Sequence, residues 1–163
     1  MIKMKYGNVK CHIASYSLSF GVDVNDEGTS LNIFFDGCDL EPKCRDCQNP
    51  DLWVQKDETE TNVAEACKQI GLHSDVITHV VFTGGEPLMQ PKATYHINKY
   101  AQELGLQTWL YTGHEYSHVP SNLKKSFNCI CSGRYDRYKL NPPGTFPASY
   151  NQIITRNDRI EFV

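Results

Sequence analysis

Two kinds of apolar segment alternate along this chain of 163 residues. Short runs rich in branched and aromatic residues read as strands. These are Leu31-Asn-Ile-Phe-Phe35, Ile77-Thr-His-Val-Val-Phe82, Gln107-Thr-Trp-Leu-Tyr111 and Phe127-Asn-Cys-Ile-Cys131. The run at 77–82 is nearly continuous in its apolar character, as a strand covered on both faces would be. Between the runs the apolar period lengthens to that of a helix. Val63, Ala66, Cys67 and Ile70 form one stripe, with Thr61 or Asn62 as its N-cap and Gly71 as its stop. Tyr95, Ile97, Tyr100, Ala101 and Leu104 form a second, over residues 91–104, closed by Gly105. Tyr150–Thr155 and Ile160–Val163 read as a last strand pair around the turn Asn157-Asp158. Strands alternating with helices predict β-α units and a largely parallel sheet.

The chain is shorter than the ~250 residues of eight complete β-α units. The expected fold is therefore α/β, an incomplete, open (β/α) barrel, as a single domain over residues 1–163. The open side would admit a large substrate. The Gly and Cys motifs fall just after strand C-termini, the edge of such sheets where ligands bind.

Net charge is −3, which lacks the basic field of a general nucleic-acid binder. No apolar run approaches a membrane span. Met1-Ile-Lys-Met-Lys-Tyr6 has no apolar stretch after its lysines, so no secretory signal is read there and a cytoplasmic location is expected. Seven cysteines, an odd number without such a signal, argue against a disulfide framework.

Three of the seven, Cys38, Cys44 and Cys47, lie within ten residues, directly after the strand at 31–35. Thiolates at that density bind iron–sulfur clusters or zinc. A four-iron cluster usually takes four cysteine ligands, so three leave one iron open to chemistry. Two other readings of the loop stand beside this one. One is a zinc site completed by a His or by a distant cysteine such as Cys11; the other is a redox dithiol at Cys44 and Cys47. Cys11, Cys67, Cys129 and Cys131 are scattered and read as small buried apolar residues. The six histidines show no metal-ligand spacing. About one β-α unit downstream comes Thr83-Gly84-Gly85-Glu86-Pro87, whose glycines permit close backbone approach.

Together these residues resemble the radical S-adenosylmethionine superfamily. Its usual three cysteines are separated by three and then two residues; here the intervals are five and two, and Asp46 stands where many members carry an aromatic residue. Within the superfamily the chain resembles the activating proteins of anaerobic (class III) ribonucleotide reductases. The resemblance rests on Phe35-Asp-Gly-Cys38, Cys47-Gln-Asn-Pro-Asp-Leu-Trp53, Thr83–Gln90, Trp109-Leu-Tyr-Thr-Gly113, Ser132-Gly-Arg-Tyr135 and Ser149-Tyr-Asn-Gln152. It runs from about residue 31 to 155, and residues 1–28 match less clearly. Gln48 and Ser132 replace a His and an Asp of the family pattern.

The resemblance implies a 4Fe-4S cluster on Cys38, Cys44 and Cys47. Its open iron would chelate S-adenosylmethionine and cleave it to methionine and a 5′-deoxyadenosyl radical. Thr83, Gly84, Gly85 and Glu86 would receive the methionine ammonium, and Pro87 would rigidify the exit of that loop. Tyr111 and Thr112 would hold ribose or methionine, with Ser132 and Arg134 as further cofactor contacts, Arg134 toward the carboxylate. Asn151 and Gln152 would line the pocket, Asn49 would order the cluster loop and Trp53 would shield the cluster. The implied partners are the reductase catalytic subunit and an electron donor such as a flavodoxin or ferredoxin. A radical enzyme acting on a small molecule or peptide, of the 7-carboxy-7-deazaguanine synthase kind, is the alternative; Gly21–Ser30 would then be a strand pair or a substrate loop. A non-catalytic iron–sulfur or zinc module is the third reading. Metal analysis separates the classes: iron with acid-labile sulfide is expected, and one air-stable zinc per chain would overturn both enzyme readings.

Overall fold

The computed structural model describes residue 6 and residues 9–21, 28–157 and 159–161. Residues 22–27 of the Gly21–Ser30 stretch lie outside these, as do Met1–Lys5, Asp158 of the last turn, and residues 162 and 163. Eight strands form one sheet: β1 (Lys10–Phe20), β2 (Thr29–Phe35), β3 (Glu60–Asn62), β4 (His79–Gly84), β5 (Gln107–Thr112), β6 (Cys129–Ser132), β7 (Ile153–Arg156) and β8 (Arg159–Glu161). Their order is β3-β1-β2-β4-β5-β6-β7-β8. The central strands β2, β4, β5 and β6 are mutually parallel. The flanking pairs are antiparallel. The open α/β sheet expected from the alternating pattern is therefore present, with its parallel character in the centre.

Period-2 alternation sorts the side chains between the faces. Leu31, Ile33, Phe35, Val80, Phe82, Leu110 and Ile130 join one core cluster with Val63, Ala66, Ile70, Ile97 and Ala101 of the helices. Phe82 stacks on Phe35 at 6.1 Å and meets Phe127 edge-on at 5.0 Å. The other face carries a smaller cluster of Val81, Trp109, Cys129 and Ile154, on which Phe146 packs. The middle of β4 is thus covered on both sides, which accounts for its unbroken apolar run.

Among the described residues, three helices connect these strands: α1 (Val63–His73), α2 (Pro91–Glu103) and α3 (Ser121–Ser126). Asn62 caps α1, its side chain accepting from the Glu65 N–H at 2.9 Å. Gly71 does not end that helix. It lies inside it, where an added Cβ would come within 3.1 Å of the Tyr100 hydroxyl oxygen, so its smallness serves the contact with α2. Leu104 and Gly105, at φ +77°, close α2 as expected.

The N-terminal β1 is the main element without a clear signature. Its serines alternate with Ala14, Tyr16, Leu18 and Phe20, and its register shifts between Ile13 and Ser15. One side of its outer half stays exposed, so no apolar run marks it.

The chain leaves β2 through Asp36, which is fully buried. Its carboxylate accepts from the Lys56 N–H at 2.8 Å and the Thr59 hydroxyl at 2.8 Å, with the Lys56 ammonium at 3.5 Å. Burial alone would push this carboxyl up, but these donors outweigh it and hold it below its ordinary range. Gln90 completes the tie: its amide donates to the carbonyls of His12 and Asp36 and accepts from the His12 N–H. Replacing Asp36 with Ala strands these donors in the interior. We expect Asp36→Ala to lower the unfolding free energy in urea by about 2–3 kcal/mol, and exposed Asp57→Ala to change it by less than about 0.5 kcal/mol.

Candidate active site

The cluster loop and the Gly-Gly loop are laced together through their backbones. The Gly85 N–H donates to the Phe35 carbonyl and the Glu86 N–H to the Gly37 carbonyl, each at 2.8 Å. On its other side the cluster loop is held by the segment that follows it: the Gly37 N–H donates to Leu52 and the Cys38 N–H to Trp53, at 2.9 and 3.1 Å. This proximity needs glycine. A Cβ on Gly85 would collide with the Gly37 carbonyl oxygen and lie 2.9 Å from that of Leu52. Gly84 sits at φ +108°, and a Cβ there would come within 2.5 Å of the Phe35 backbone.

Cys38, Cys44 and Cys47 are partly exposed, whereas Cys11, Cys67, Cys129 and Cys131 are buried. Burial pushes the Cys11 and Cys131 thiols up to about 12, as befits packing residues. The Asn49 N–H donates to the Cys47 sulfur at 3.4 Å, and the Leu40 and Tyr135 N–H groups favour the thiolates of Cys38 and Cys44. Burial raises the Cys38 and Cys44 thiols, and these donors oppose it, helped by Lys43 near Cys38 and Arg134 near Cys44. A thiolate-ligated cluster needs such surroundings: accessible sulfurs, N–H donors aimed at them and cations close by. Among the described residues no three His, Cys, Asp or Glu side chains are gathered for one metal ion. A multi-iron cluster binds its thiolates through separate irons and does not require that.

A cleft of about 340 Å³ opens beside the cluster loop. Cys44, Cys47 and Gln48 form one wall; Thr83, Gly84 and Gly85 at the end of β4, with Tyr111 and Thr112 of β5, form its base. Tyr135 and Phe146 close the far side. These two supply the aromatic surface that the cluster loop lacks at Asp46. Sequence reasoning did not single them out as site residues, because the segment carrying them meets the cleft only through tertiary folding.

Glu86 stands behind this cleft and is buried. One carboxylate oxygen accepts from the Leu88 N–H and the Thr112 hydroxyl, the other from the Gly113 N–H, all at 2.9 Å. The His114 N–H occupies a Thr112 hydroxyl lone pair at 3.1 Å, so the Thr112 proton is directed at Glu86. Burial pushes the Glu86 carboxyl up, against the pull of these three donors and of nearby His114. His114 in turn meets Asp39 of the cluster loop at 3.0 Å. Glu86 therefore joins the ends of β4 and β5, with its carboxylate directed at the protein's own donors.

The other sequence candidates fall around this centre. Asn49 donates from its side chain to the Gly84 carbonyl at 3.5 Å. Gln152 lines the cleft. Ser132 is buried, with its hydroxyl 3.4 Å from the Ile153 carbonyl, and does not line the cleft. Arg134 donates to the carbonyls of Glu41 and Pro42, clamping the cluster loop from outside. Asn151 is attached to the Arg134 carbonyl at 2.9 Å. Asp36, Gln90 and His114 brace the site; Asp36 and Gln90 lie inside the motifs Phe35–Cys38 and Thr83–Gln90 without having been singled out as site residues, and His114 lies outside them.

A Gly85→Ala replacement is expected to push the two loops apart. Reconstituted Gly85→Ala protein should then hold well under half the iron and sulfide of wild type, read by metal and sulfide analysis. Retention of full cluster content would show that the loops can separate without cost to the site.

Comparison with known proteins agrees with this geometry. Over 106 residues the chain is 32% identical to a pyruvate formate-lyase-activating enzyme of Clostridium pasteurianum, a match covering 62% of this chain. The chain spans only 44% of that relative's length. The crystal structure of QueE from Escherichia coli superposes with a TM-score of 0.58 over 86% of this chain and 65% of that one. At 16% identity this is a likeness of fold. The 4Fe-4S single cluster domain matches residues 24–155, from before β2 into β7, with all three loop cysteines inside. The chain belongs to that family.

Proposed function

We propose that this protein is a radical S-adenosylmethionine enzyme that places a glycyl radical on a partner protein, an anaerobic ribonucleotide reductase. The observation that carries the reading is the loop of three partly exposed thiols, two of which, Cys44 and Cys47, line a cleft floored by the Gly-Gly loop. When bound, a 4Fe-4S cluster there supplies the electron that cleaves S-adenosylmethionine to methionine and a 5′-deoxyadenosyl radical. Cys38, Cys44 and Cys47 hold the cluster. Thr83, Gly84 and Gly85 offer backbone polar groups to the methionine part, and Tyr111, Tyr135 and Phe146 offer surface to the nucleoside. Glu86 and Arg134 act as positioning residues, one fixing the β4 and β5 ends, the other fixing the cluster loop.

The partner assignment is supported by two likenesses. The pyruvate formate-lyase-activating enzyme is named for acting on another enzyme. The ordered motifs from residue 31 to 155 resemble activators of the reductase. The open edge of the sheet leaves room for a protein loop, and a docked partner would keep water from the radical. The electron would come from a flavodoxin or ferredoxin.

The test is anaerobic reconstitution with iron and sulfide, reduction, and assay for 5′-deoxyadenosine. Wild type should form it and Cys44→Ala should not. Addition of an anaerobic reductase should then yield a glycyl radical by electron paramagnetic resonance. A fully loaded wild-type cluster that forms no 5′-deoxyadenosine would overturn the enzyme reading; turnover without a protein radical would overturn the partner.

A further inference from the structure

Beyond the cleft, across the same face of the sheet, lies a second hollow of about 620 Å³. The two share Gln48, Thr83 and Tyr111, so they form one continuous groove. The second hollow runs from β4 over Phe34 to Asn32, Ser30 and Ser19. None of the described residues lining it is acidic or basic.

Its far end is a built hydrogen-bond ladder between β1 and β2. Ser17 lies opposite Asn32 and Ser19 opposite Ser30 in the antiparallel register. The buried Ser30 hydroxyl donates to the Asn32 side-chain oxygen at 3.1 Å. The Asn32 amide nitrogen then donates to Ser17 at 3.2 Å and to Ser19 at 2.7 Å. Asn32 thus occupies one lone pair on each serine oxygen, and each serine keeps an O–H donor and a second lone pair. Ser19, half-buried, lines the hollow; Ser17, exposed, lies beside it on the same strand, outside the lining.

We infer that Ser17 and Ser19, oriented by Asn32, are substrate-reading residues that take the carbonyl groups of an uncharged, extended polypeptide segment. The inference rests on the radical-enzyme reading and narrows its substrate. Two strand spacings separate β4 from β1, about 10 Å, or about three extended residues. A chain whose reacting carbon sits at the cleft reaches the ladder with the residues on one side of it. Phe34 and Val81 supply apolar contact along the way. A charged small molecule would leave its charge without a counter-ion among these neutral groups, and burying it there is costly. Peptide carbonyl and N–H groups, a neutral acceptor and donor at each residue, match hydroxyls that can both donate and accept.

The experiment uses reconstituted, unreduced protein with S-adenosylmethionine and a pooled library of capped octapeptides. Each peptide has a fixed central glycine and randomised flanks, and the bound fraction is sequenced. Wild type should deplete Asp, Glu, Lys and Arg several-fold at two or three positions on one side of the glycine. Ser19→Lys should convert that depletion into enrichment of Asp and Glu. The double change Ser17→Ala, Ser19→Ala should weaken the best wild-type peptide about tenfold, the worth of two neutral hydrogen bonds. Charged residues enriched by wild type, the absence of any selection, or a Ser19→Lys profile equal to wild type would overturn the inference. Wild-type 5′-deoxyadenosine formation without peptide reports on the enzyme reading separately, so the two can fail independently.

Discussion

Two backbone hydrogen bonds, Gly85 to Phe35 and Glu86 to Gly37, hold the site of this protein together. They place the Gly-Gly loop directly against the loop that bears the cysteines, at a separation no side chain on Gly85 would allow. Parallel pairing of β2 and β4 brings the two strand ends level, with Phe35 opposite Gly84. Everything else at the site is arranged around that contact. Asp36 and Gln90 hold the near end of the cluster loop; Arg134 and the Tyr135 N–H reach it from the far side.

Polar groups near the site fall into two classes. Glu86, Thr112, Asp39 and His114 form a chain of contacts between the cluster loop and the ends of β4 and β5. Their hydrogen bonds are made within the protein, so they determine shape. Among the described residues no Asp, Glu, Lys or Arg lines the cleft or the groove beyond it; apart from the cysteines, amide, hydroxyl, aromatic, apolar and backbone groups do. This division suits radical chemistry, in which a dry, fixed surround limits side reactions. Positive charge near the sulfurs comes from Lys43 at Cys38 and Arg134 at Cys44, and Glu86 acts on both in the opposite sense.

The helices and central strands were legible because each has one covered face, or two. The stripe from Val63 to Ile70, the run from Ile77 to Phe82 and the capping Asn62 all report burial or backbone need through local residue type. The strand β1 was not legible. Its first residues join the core, but past the bulge Ser15 and Ser17 are exposed, Ser19 lines an open groove and Leu18 and Phe20 face solvent, so its pattern lacks a periodic apolar side. Gly71 misled for the opposite reason: glycine commonly stops helices, yet here it makes room for Tyr100.

At the site the same boundary applies. The three clustered cysteines, the Gly-Gly loop and the order of motifs were visible as text, because ligation and close backbone approach demand particular residue types at short spacing. Which of those residues line the cleft depended on contacts between distant segments. Glu86 and Arg134 turned toward their own backbone, Tyr135 and Phe146 came to face the cleft, and Asn32 met three serines from two strands. Sequence alone determined the chemistry that the chain can support, since that resides in side-chain identity. Tertiary structure decided which groups are spent on holding the fold and which remain to meet a ligand, since a hydrogen bond's partner is chosen by proximity in space.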